Sequence, residues 1–329
     1  MSERKRLLES IAGITADYRA GEIPKPTPEH VDQWVNQFPK VVQQPILAEM
    51  EHVLGKTYLS KVGVENFLKK LVKNPKLAGT DPASFWRGVK FLDIQGGGNS
   101  QREMLALFSV ILKNEVGFTV AQCGNTNPKA FIYLDDVLFT GNRILKDLTK
   151  WIGADAPASA TVHVITIGLH SGSQHYAQGR IHTAATAAQK KLSITWWRAV
   201  EIEDRRDHTD ASDVLRPTSI PNDALTQAYV ATLDGYPPVL RKPGNVGPKA
   251  FFSSEAGRSL LEQEFLKTGA YIRSICPHLN VYQRPLGNMV LKTIGFGSLI
   301  VTFRNCPNNT PLALWAGNPW YPLFARKTN

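Results

Sequence analysis

The chain has few cysteines and no long apolar run. Cys123, Cys276 and Cys306 are far apart and odd in number, so they form neither a disulfide framework nor a zinc-ligand pattern. No apolar run reaches the ~20 residues that a transmembrane helix needs, and no signal-peptide stretch follows the first six residues. These absences favour a reducing compartment, and we expect a cytoplasmic protein with no membrane contact.

Basic residues outnumber acidic ones. The 329 residues include 38 Lys and Arg against 28 Asp and Glu, which is a net charge of +10. This excess indicates an anionic partner, either a nucleotide-like substrate or a nucleic acid, and does not choose between them. The length suffices for one large domain and a smaller one.

The first 80 residues are predicted to be helical. Apolar residues recur at helical spacing in four segments, 3–20, 28–38, 46–54 and 64–72. Thr27 followed by Pro28 is typical of a helix N-terminus. The segment 74–82, which contains Pro and Gly, is predicted to be a boundary. We therefore predict a helical domain over residues 1–80 and a second domain over residues 81–329. A helix-turn-helix arrangement is one alternative for the helical domain.

The segment Lys56–Lys76 is basic, with six lysines and one acid, Glu65. Two interpretations remain open for it. It can contact nucleic acid or another partner through phosphates, or it can be a solvated helix face. It has no arrangement of Arg or Asn that is typical of base readout.

An apolar run leads into two adjacent carboxylates near the middle of the chain. Phe131–Leu134 is typical of a strand buried on both faces of a parallel sheet, and Asp135 and Asp136 follow it directly. These carboxylates are predicted at the carboxyl edge of the sheet, where open α/β sheets bind ligands. The small residues of segment 140–142 then open a helix, whose N-terminus favours a phosphate. The alternative is an acidic pair that only caps a βα turn.

This order of strand, acidic pair, small-residue loop and helix resembles the PRPP-binding motif of the type I phosphoribosyltransferases. The resemblance implies that Asp135 and Asp136 hold the ribose hydroxyls, with Mg²⁺ held indirectly through substrate oxygens. It also implies a 5′-phosphate loop that consists of Val137, Leu138, Phe139, Thr140, Gly141, Asn142 and Arg143. Two positions depart from the family pattern. Phe139 replaces a common Ser or Thr, and Arg143 replaces a common small hydroxyl residue, although arginine can still bind phosphate as a planar cation.

A glycine triplet lies one predicted βα unit before the acidic pair. Residues 89–94 are predicted to form a strand and residues 101–112 a helix, which Ser100 is placed to cap. The family resemblance implies a pyrophosphate-binding loop at this place, formed by Gly96, Gly97, Gly98, Asn99, Ser100 and Arg102. A flexible connector is the alternative.

The connection from this helix to the central strand is short. Related enzymes often have a long mobile hood loop here, whereas residues 116–129 leave room only for a turn at Asn125–Pro128. This departure weakens the expectation of ordinary salvage-type catalysis.

Two further strands are predicted, over residues 160–168 and 192–197. The first contains His163, which we expect to be packed, and ends in a polar loop, His170–His175. By the alternating βαβ logic this loop lies at the same sheet edge as the acidic pair, and Ser171 is a candidate substrate contact.

The last third is predicted to contain a long helix capped by Ser254 and a C-terminal β-hairpin. The hairpin would pair Met289–Ile294 with Ser298–Phe303.

The tail after residue 303 is rich in polar turn residues and Trp. Together with the acidic pair, the glycine loop and His30–Trp34, it resembles the phosphoribosyltransferase-like proteins of bacterial antiviral conflict systems, including retron-associated members. The resemblance implies a toxin-type effector, a reverse transcriptase with its RNA–DNA hybrid as partner, and a nucleotide site faced by Arg304, Asn308 and Arg326. From the residues alone, Asn308 is a turn former and both arginines can be structural cations.

The predicted fold class is therefore α/β. We expect a type I phosphoribosyltransferase-like parallel sheet flanked by helices, an N-terminal helical domain and a C-terminal β-hairpin extension. The first functional hypothesis is an antiviral effector that binds PRPP or a related nucleotide with Mg²⁺ and transfers or cleaves at the ribose anomeric carbon. The second is a catalytically inactive subunit that senses a nucleotide or docks on nucleic acid, and the third is a structural subunit that packages an RNA–DNA partner. An oligomer is compatible with each.

Overall fold

The computed structural model describes residues 2–124, 127–233 and 235–327. Its helices are α1 (Glu3–Ile14), α2 (Pro28–Val35), α3 (Lys40–Thr57), α4 (Lys61–Val72), α5 (Pro75–Ala78), α6 (Pro82–Arg87), α7 (Ser100–Val116), α8 (Asn142–Ala154), α9 (Ser171–Ala187), α10 (Ala224–Val230), α11 (Glu255–Ile275) and α12 (Leu312–Trp315). Its strands are β1 (Tyr58–Leu59), β2 (Val89–Phe91), β3 (Ala130–Leu138), β4 (Ser159–His170), β5 (Lys191–Ile202), β6 (Gln283–Arg284), β7 (Gly287–Asn288) and β8 (Val301–Thr302). The first two residues of the turn predicted at Asn125–Pro128 lie outside the described residues. None of the described helices is both long and apolar enough to cross a bilayer.

The chain divides into two compact units. Residues 1–61 and 203–329 form one unit, and residues 62–202 form the other. These bounds differ from the predicted division at residue 80, because the first three helices pack with the C-terminal part of the chain.

The unit of residues 62–202 is built on a parallel sheet with the strand order β2-β3-β4-β5. The apolar run before the acidic pair forms β3, and eight of its nine residues are buried. A strand buried on both faces is what its sequence predicts for a central position in a parallel sheet. The predicted α/β fold with a helix-flanked parallel sheet is confirmed.

Helices cover both faces of this sheet. The ring of Trp151 in α8 lies 5.0 Å from that of Phe131, and Ala177, Ile181 and Ala185 of α9 belong to the same apolar cluster. On the other face, Phe108 of α7 lies 5.6 Å from Phe91, which is in register with Ile132. Because successive strand residues point to opposite faces, α7 lies opposite α8 and α9.

The unit of residues 1–61 and 203–329 is held together by contacts between its two chain segments. Trp34 of α2 donates its indole N–H to the carbonyl of Ala313, at 2.8 Å. Both ring nitrogens of His30 contact the tail, at Tyr321 Oη and at the carbonyl of Leu323, each at 2.7 Å. The N-terminal helices therefore share a core with the tail.

The predicted pairing of Met289–Ile294 with Ser298–Phe303 is wrong. Val301 and Thr302 form β8, which pairs in parallel with β1, while the antiparallel pair in this region is β6 with β7. Gly295 and Gly297, which lie between the two predicted strands, both have positive φ. A Cβ at Gly295 would lie 2.5 Å from the carbonyl carbon of Leu286, so this glycine serves close packing of the backbone and does not reverse two strands.

Three local predictions also fail. Helix α1 ends at Ile14 and does not extend to residue 20. Strand β4 continues through His170 and α9 begins at Ser171, so residues 170–175 form no polar loop. The N-cap of α7 is Asn99, whereas Ser100 is its first residue and receives a hydrogen bond from Gln95.

Two other local predictions agree with the structure. Thr27 and Ser254 cap α2 and α11 through their hydroxyls. His163 is half-buried beside Trp197, whose indole N–H donates to its Nδ1 at 3.4 Å, and burial lowers the pKa of this imidazole.

Candidate functional site

The acidic pair lies near the carboxyl end of β3. Asp135 is in register with Thr166 of β4, and its side chain is buried with 8 % exposure. Each carboxylate accepts the backbone N–H of the residue that follows it, at 2.9 Å for Asp135 and 2.7 Å for Asp136. These bonds hold each carboxylate against the next peptide of the strand.

Burial and like charge oppose ionisation of Asp135. Desolvation, followed by the negative charge of Asp136, raises the pKa of Asp135 to about 7. The hydroxyl of Ser100, the N–H of Asp136 and the charge of Arg143 act in the opposite direction. A bound cation would remove much of this penalty, because it offsets the charge of the pair.

The loop from the acidic pair to α8 depends on one glycine. Gly141 has φ of +73° and is the N-cap of α8. A Cβ at this position would lie 2.8 Å from the carbonyl oxygen of Ser173 and 3.2 Å from Cβ of Ala177. A side chain is therefore excluded both by backbone conformation and by space. The first turn of α8 contains no acidic residue, so its N-terminal N–H groups and dipole favour an anion.

Arg143 joins the glycine loop to the loop of the acidic pair. Its Nη1 donates to the carbonyl oxygen of Gly97. Gly98 has φ of +80°, and a Cβ there would lie 3.0 Å from the same Nη1. The two segments predicted to bind phosphate and pyrophosphate are therefore adjacent in the structure.

Two glutamines support this arrangement and were missed by the sequence analysis. The Gln95 amide donates to Ser100 Oγ at 3.0 Å and to Asp135 Oδ2 at 3.4 Å, while its oxygen accepts from the Gln101 N–H. The oxygen of Gln101, which is fully buried, accepts from the backbone N–H groups of Ile94 and Gln95 at 2.9 and 3.0 Å. Glutamine is common in loops and on helix surfaces, so neither residue carried a signal in the sequence.

Asp147 provides a second support from α8. Its carboxylate accepts from Tyr133 Oη at 2.9 Å and, more weakly, from the N–H of Gly96 at 3.4 Å. Burial, together with the charges of Asp135 and Asp147, raises the pKa of Tyr133. The one available signal was a carboxylate on the apolar stripe of α8, next to Leu148.

The two departures from the family pattern have structural partners. The ring of Phe139 packs 5.1 Å from that of His170. His170 is fully buried and its Nδ1 lies 2.8 Å from the carbonyl oxygen of Leu138. Phe139 therefore packs against the end of β4, and Arg143 spans to the glycine loop.

The remaining candidates of this unit contact other groups. Ser171 donates its hydroxyl to the carbonyl of Ile202 at 3.1 Å. Arg102 is largely exposed, and its guanidinium lies 3.7 Å from the carboxylate of Asp93.

The three C-terminal candidates belong to the other compact unit. Arg326 donates to the carbonyl of Cys306 at 2.8 Å and lies 4.7 Å from the ring centre of Trp315, and burial lowers the pKa of its guanidinium. The carbonyl of Asn308 accepts from the Asn288 N–H at 2.7 Å. Arg304 is half-buried. The structure gives Arg326 and Asn308 packing and backbone contacts.

A parallel sheet with an acidic pair, a glycine-capped helix and a glycine loop at one edge defines a phosphoribosyltransferase-like protein. The model of the PRTase-CE family matches residues 31–326, and the chain therefore belongs to the PRTase-CE family. No curated protein and no solved structure shows a significant match to the chain.

Proposed function

We propose that the protein binds PRPP, or a related nucleotide, with Mg²⁺ at the carboxyl end of β3, and that it transfers or cleaves at the ribose anomeric carbon. The observation that carries this proposal is the junction of the two loops around Asp135. Gln95 links that carboxylate to the glycine loop, and Arg143 links the glycine loop to α8. One ligand with phosphates at both ends and a diol between them matches this arrangement.

The 5′-phosphate would lie on the loop of residues 137–143. Gly141 leaves the N-terminus of α8 without a side chain, so backbone N–H groups can approach the phosphate oxygens. The pyrophosphate would lie on residues 96–100, where added Cβ atoms at Gly96 and Gly97 would meet nothing within 4 Å. Space for close backbone approach is what an anion loop needs.

The donor set fits Mg²⁺ only as a partner of the substrate. Within the three described ranges no group of three or more His, Cys, Asp or Glu side chains is placed to hold a metal ion. Mg²⁺ typically takes one or two carboxylates and substrate phosphates. Asp135 and Asp136 would hold it indirectly, through the substrate oxygens that they bind, and the ion would supply charge compensation for the pyrophosphate.

The carboxylates have a second role in this proposal. Ionised Asp135 and Asp136 would hold the ribose hydroxyls and favour the positive charge that develops at the anomeric carbon when its bond to pyrophosphate breaks. Because the pKa of Asp135 is about 7, PRPP binding with Mg²⁺ should weaken as the pH falls below 7, where protonation competes.

Calorimetry with PRPP and Mg²⁺ tests the proposal. We expect Asp135→Asn and Asp136→Asn each to lower the affinity by about tenfold or more, since each removes one charge-assisted contact. Asp155→Asn is the matched control, because Asp155 is an exposed carboxylate at the far end of α8. No binding of PRPP or of any nucleotide by the wild-type protein would remove the proposal.

We place this activity in an antiviral defence system of the cytoplasm, as a toxin-type effector with a retron-like reverse transcriptase and its RNA–DNA hybrid as partners. Resemblance to conflict-system proteins supports this setting. The double variant with Asn at both acidic positions should lose protection against phage while the protein remains expressed. Full protection by that variant would argue for a scaffold role.

A second candidate is a nucleotide-sensing or nucleic-acid-docking subunit without turnover. Two contacts favour it: Phe139 packs on His170, and Arg143 donates to Gly97. Both side chains of the loop are thereby engaged by the protein itself. This candidate would be supported if the protein binds PRPP but releases no pyrophosphate when an acceptor is added.

The lysines of the basic segment test the docking part of this candidate. All six are exposed, and Lys73 pairs with Glu115 at 2.6 Å. Replacing Lys69, Lys70 and Lys73 by Gln should flatten the salt dependence of nucleic-acid binding by up to about three units of slope. An unchanged slope would identify the segment as a solvated face.

A further inference from the structure

The edge strand β5 is long, regular and open. Its 12 residues pair with β4 in one unbroken register, from Ser159 opposite Lys191 to His170 opposite Ile202. No strand among the described residues pairs with its other side. The opposite edge of the sheet, β2, has only 3 residues.

β5 carries the charged residues Lys191, Arg198 and Glu201, but it lacks the other features that usually protect an edge from pairing. It contains no proline or glycine, and the constant register leaves no bulge. Lys191, Ser193 and Thr195 are exposed, whereas an edge hidden under a helix or loop would be buried. Edges of this kind are templates for a further strand.

The direction of the free backbone groups follows from one hydrogen bond. Lys191 donates its N–H to the carbonyl of Ala158 at 2.8 Å, so Lys191 and every second residue after it point toward β4. The residues between them direct their N–H and C=O groups away from the sheet. These are Leu192, Ile194, Trp196, Arg198, Val200 and Ile202, and the carbonyl of Ile202 already accepts the Ser171 hydroxyl.

We propose that β5 pairs with β5 of a second copy of this chain, antiparallel and about a two-fold axis at Trp196. In this register Leu192 lies opposite Val200 of the second copy, Ile194 opposite Arg198, and Trp196 opposite itself. The five outward residues from Leu192 to Val200 are then in hydrogen-bonded pairs, and Ile202 lies beyond the paired segment. The result is one continuous sheet of eight strands, built from the four strands of each copy.

Charge complementarity favours the second copy as the occupant, because Glu201, which also pairs with Arg198 of its own chain, comes to face a lysine. The same register places Lys191 opposite Glu201 of the second copy, twice per dimer, on the side of the sheet away from α9. These are non-hydrogen-bonded positions, where side chains of antiparallel strands approach most closely. A shift of two residues in either direction separates Lys191 from Glu201, so the charges favour this register over its neighbours.

The interface also continues an existing apolar surface. Leu192, Ile194 and Trp196 pack toward Ala177, Ile181 and Ala185 of α9. Because Leu192 and Ile194 are only half-buried, a second strand would cover the part that is exposed.

Sedimentation equilibrium over a range of protein concentrations tests the proposal, and we expect a dimer. Lys191→Glu and Glu201→Lys should each raise the dimer dissociation constant by roughly tenfold or more, because each creates two pairs of like charge. The double variant K191E/E201K restores opposite charges and should recover most of the affinity. Lys150→Glu, an exposed substitution in α8, is the control and should have no effect.

Ile194→Pro removes an outward N–H and keeps the bonds to β4, so it should abolish the dimer while the circular dichroism spectrum persists. If this variant does not fold, the charge variants at Lys191 and Glu201 still test the proposal. A monomer at all concentrations, or a dimer unaffected by Lys191→Glu, would overturn the proposal. So would a double variant that is no better than either single one.

Discussion

Two neighbouring strands of the sheet reach the same edge and enter their helices differently. After β3, residues 139–141 form a short loop that ends in Gly141 and opens α8. After β4 there is no loop, and buried His170 is directly followed by α9. The edge of a parallel sheet therefore does not make a ligand site by itself. Of these two strands, only β3 is followed by a loop, and this loop leaves the N-terminus of α8 accessible to an anion.

The largest effect on stability is expected from a side chain at Gly141, in the loop before α8. Gly141→Ala should destabilise the protein by roughly 3–5 kcal/mol, because the residue has positive φ and its Cβ would clash with the Ser173 carbonyl. Thermal unfolding and PRPP calorimetry measure this. Gly153→Ala in the same helix, where a Cβ meets nothing within 4 Å, should leave stability unchanged or slightly higher. Equal effects of the two substitutions would contradict the role assigned to the loop.

The second effect concerns charge at the end of β3. Asp135→Asn should stabilise the free protein by about 2–3 kcal/mol at pH 8, while it impairs PRPP binding. The folded pKa of about 7 exceeds the unfolded value near 3.8, so wild-type stability falls as the pH rises from about 4 to 7. The difference in the free energy of unfolding between variant and wild type should therefore be absent below pH 4. It should grow up to pH 7 and stay constant at higher pH. A difference that does not change with pH would show that Asp135 ionises normally.

The third effect concerns the support beneath the site. Asp147→Ala should cost about 1–3 kcal/mol of stability, since it leaves the hydroxyl of buried Tyr133 without its acceptor. It should also weaken PRPP binding, because the N–H of Gly96 loses its contact. The double variant with Tyr133→Phe should regain part of the stability but not the affinity. If affinity returns as well, the contact with Gly96 does not position the glycine loop.

The smallest effect is expected at the end of β4. Ser171→Ala removes a hydrogen bond to the carbonyl of Ile202 and should cost about 0.5–1.5 kcal/mol without changing the affinity for PRPP. A loss of PRPP affinity with normal stability would instead make Ser171 a substrate contact, and the edge at β4 would be part of the site.

Several structural features of the candidate site could be predicted from short stretches of sequence. The buried strand, the acidic pair and the loop glycine are adjacent in the chain, so composition and order were sufficient. The support around them was not predictable in this way. Gln95, Gln101 and Asp147 contact the site from two different helices and a loop, and each is a polar residue with an ordinary solvated alternative.

Two of the failed predictions have a common cause. Residues 289–303 have the alternation and the glycines of a hairpin, and residues 170–175 have the polar composition of a loop. In the structure Val301 and Thr302 pair with Tyr58 and Leu59, and His170 is buried beside Leu138. Both outcomes depend on partners far away in the chain, which local patterns do not contain.

The sequence by itself determined the strand, the acidic pair and the helix start, because these follow from local burial pattern, charge and backbone freedom. Family membership also follows from it. Only the tertiary structure decided that the glycine loop adjoins the acidic pair, that α7 covers the opposite face from α8 and α9, and that the N-terminal helices share a core with the tail. These features depend on which distant segments bury each other's apolar surface, and that choice is made by the packing of the whole chain.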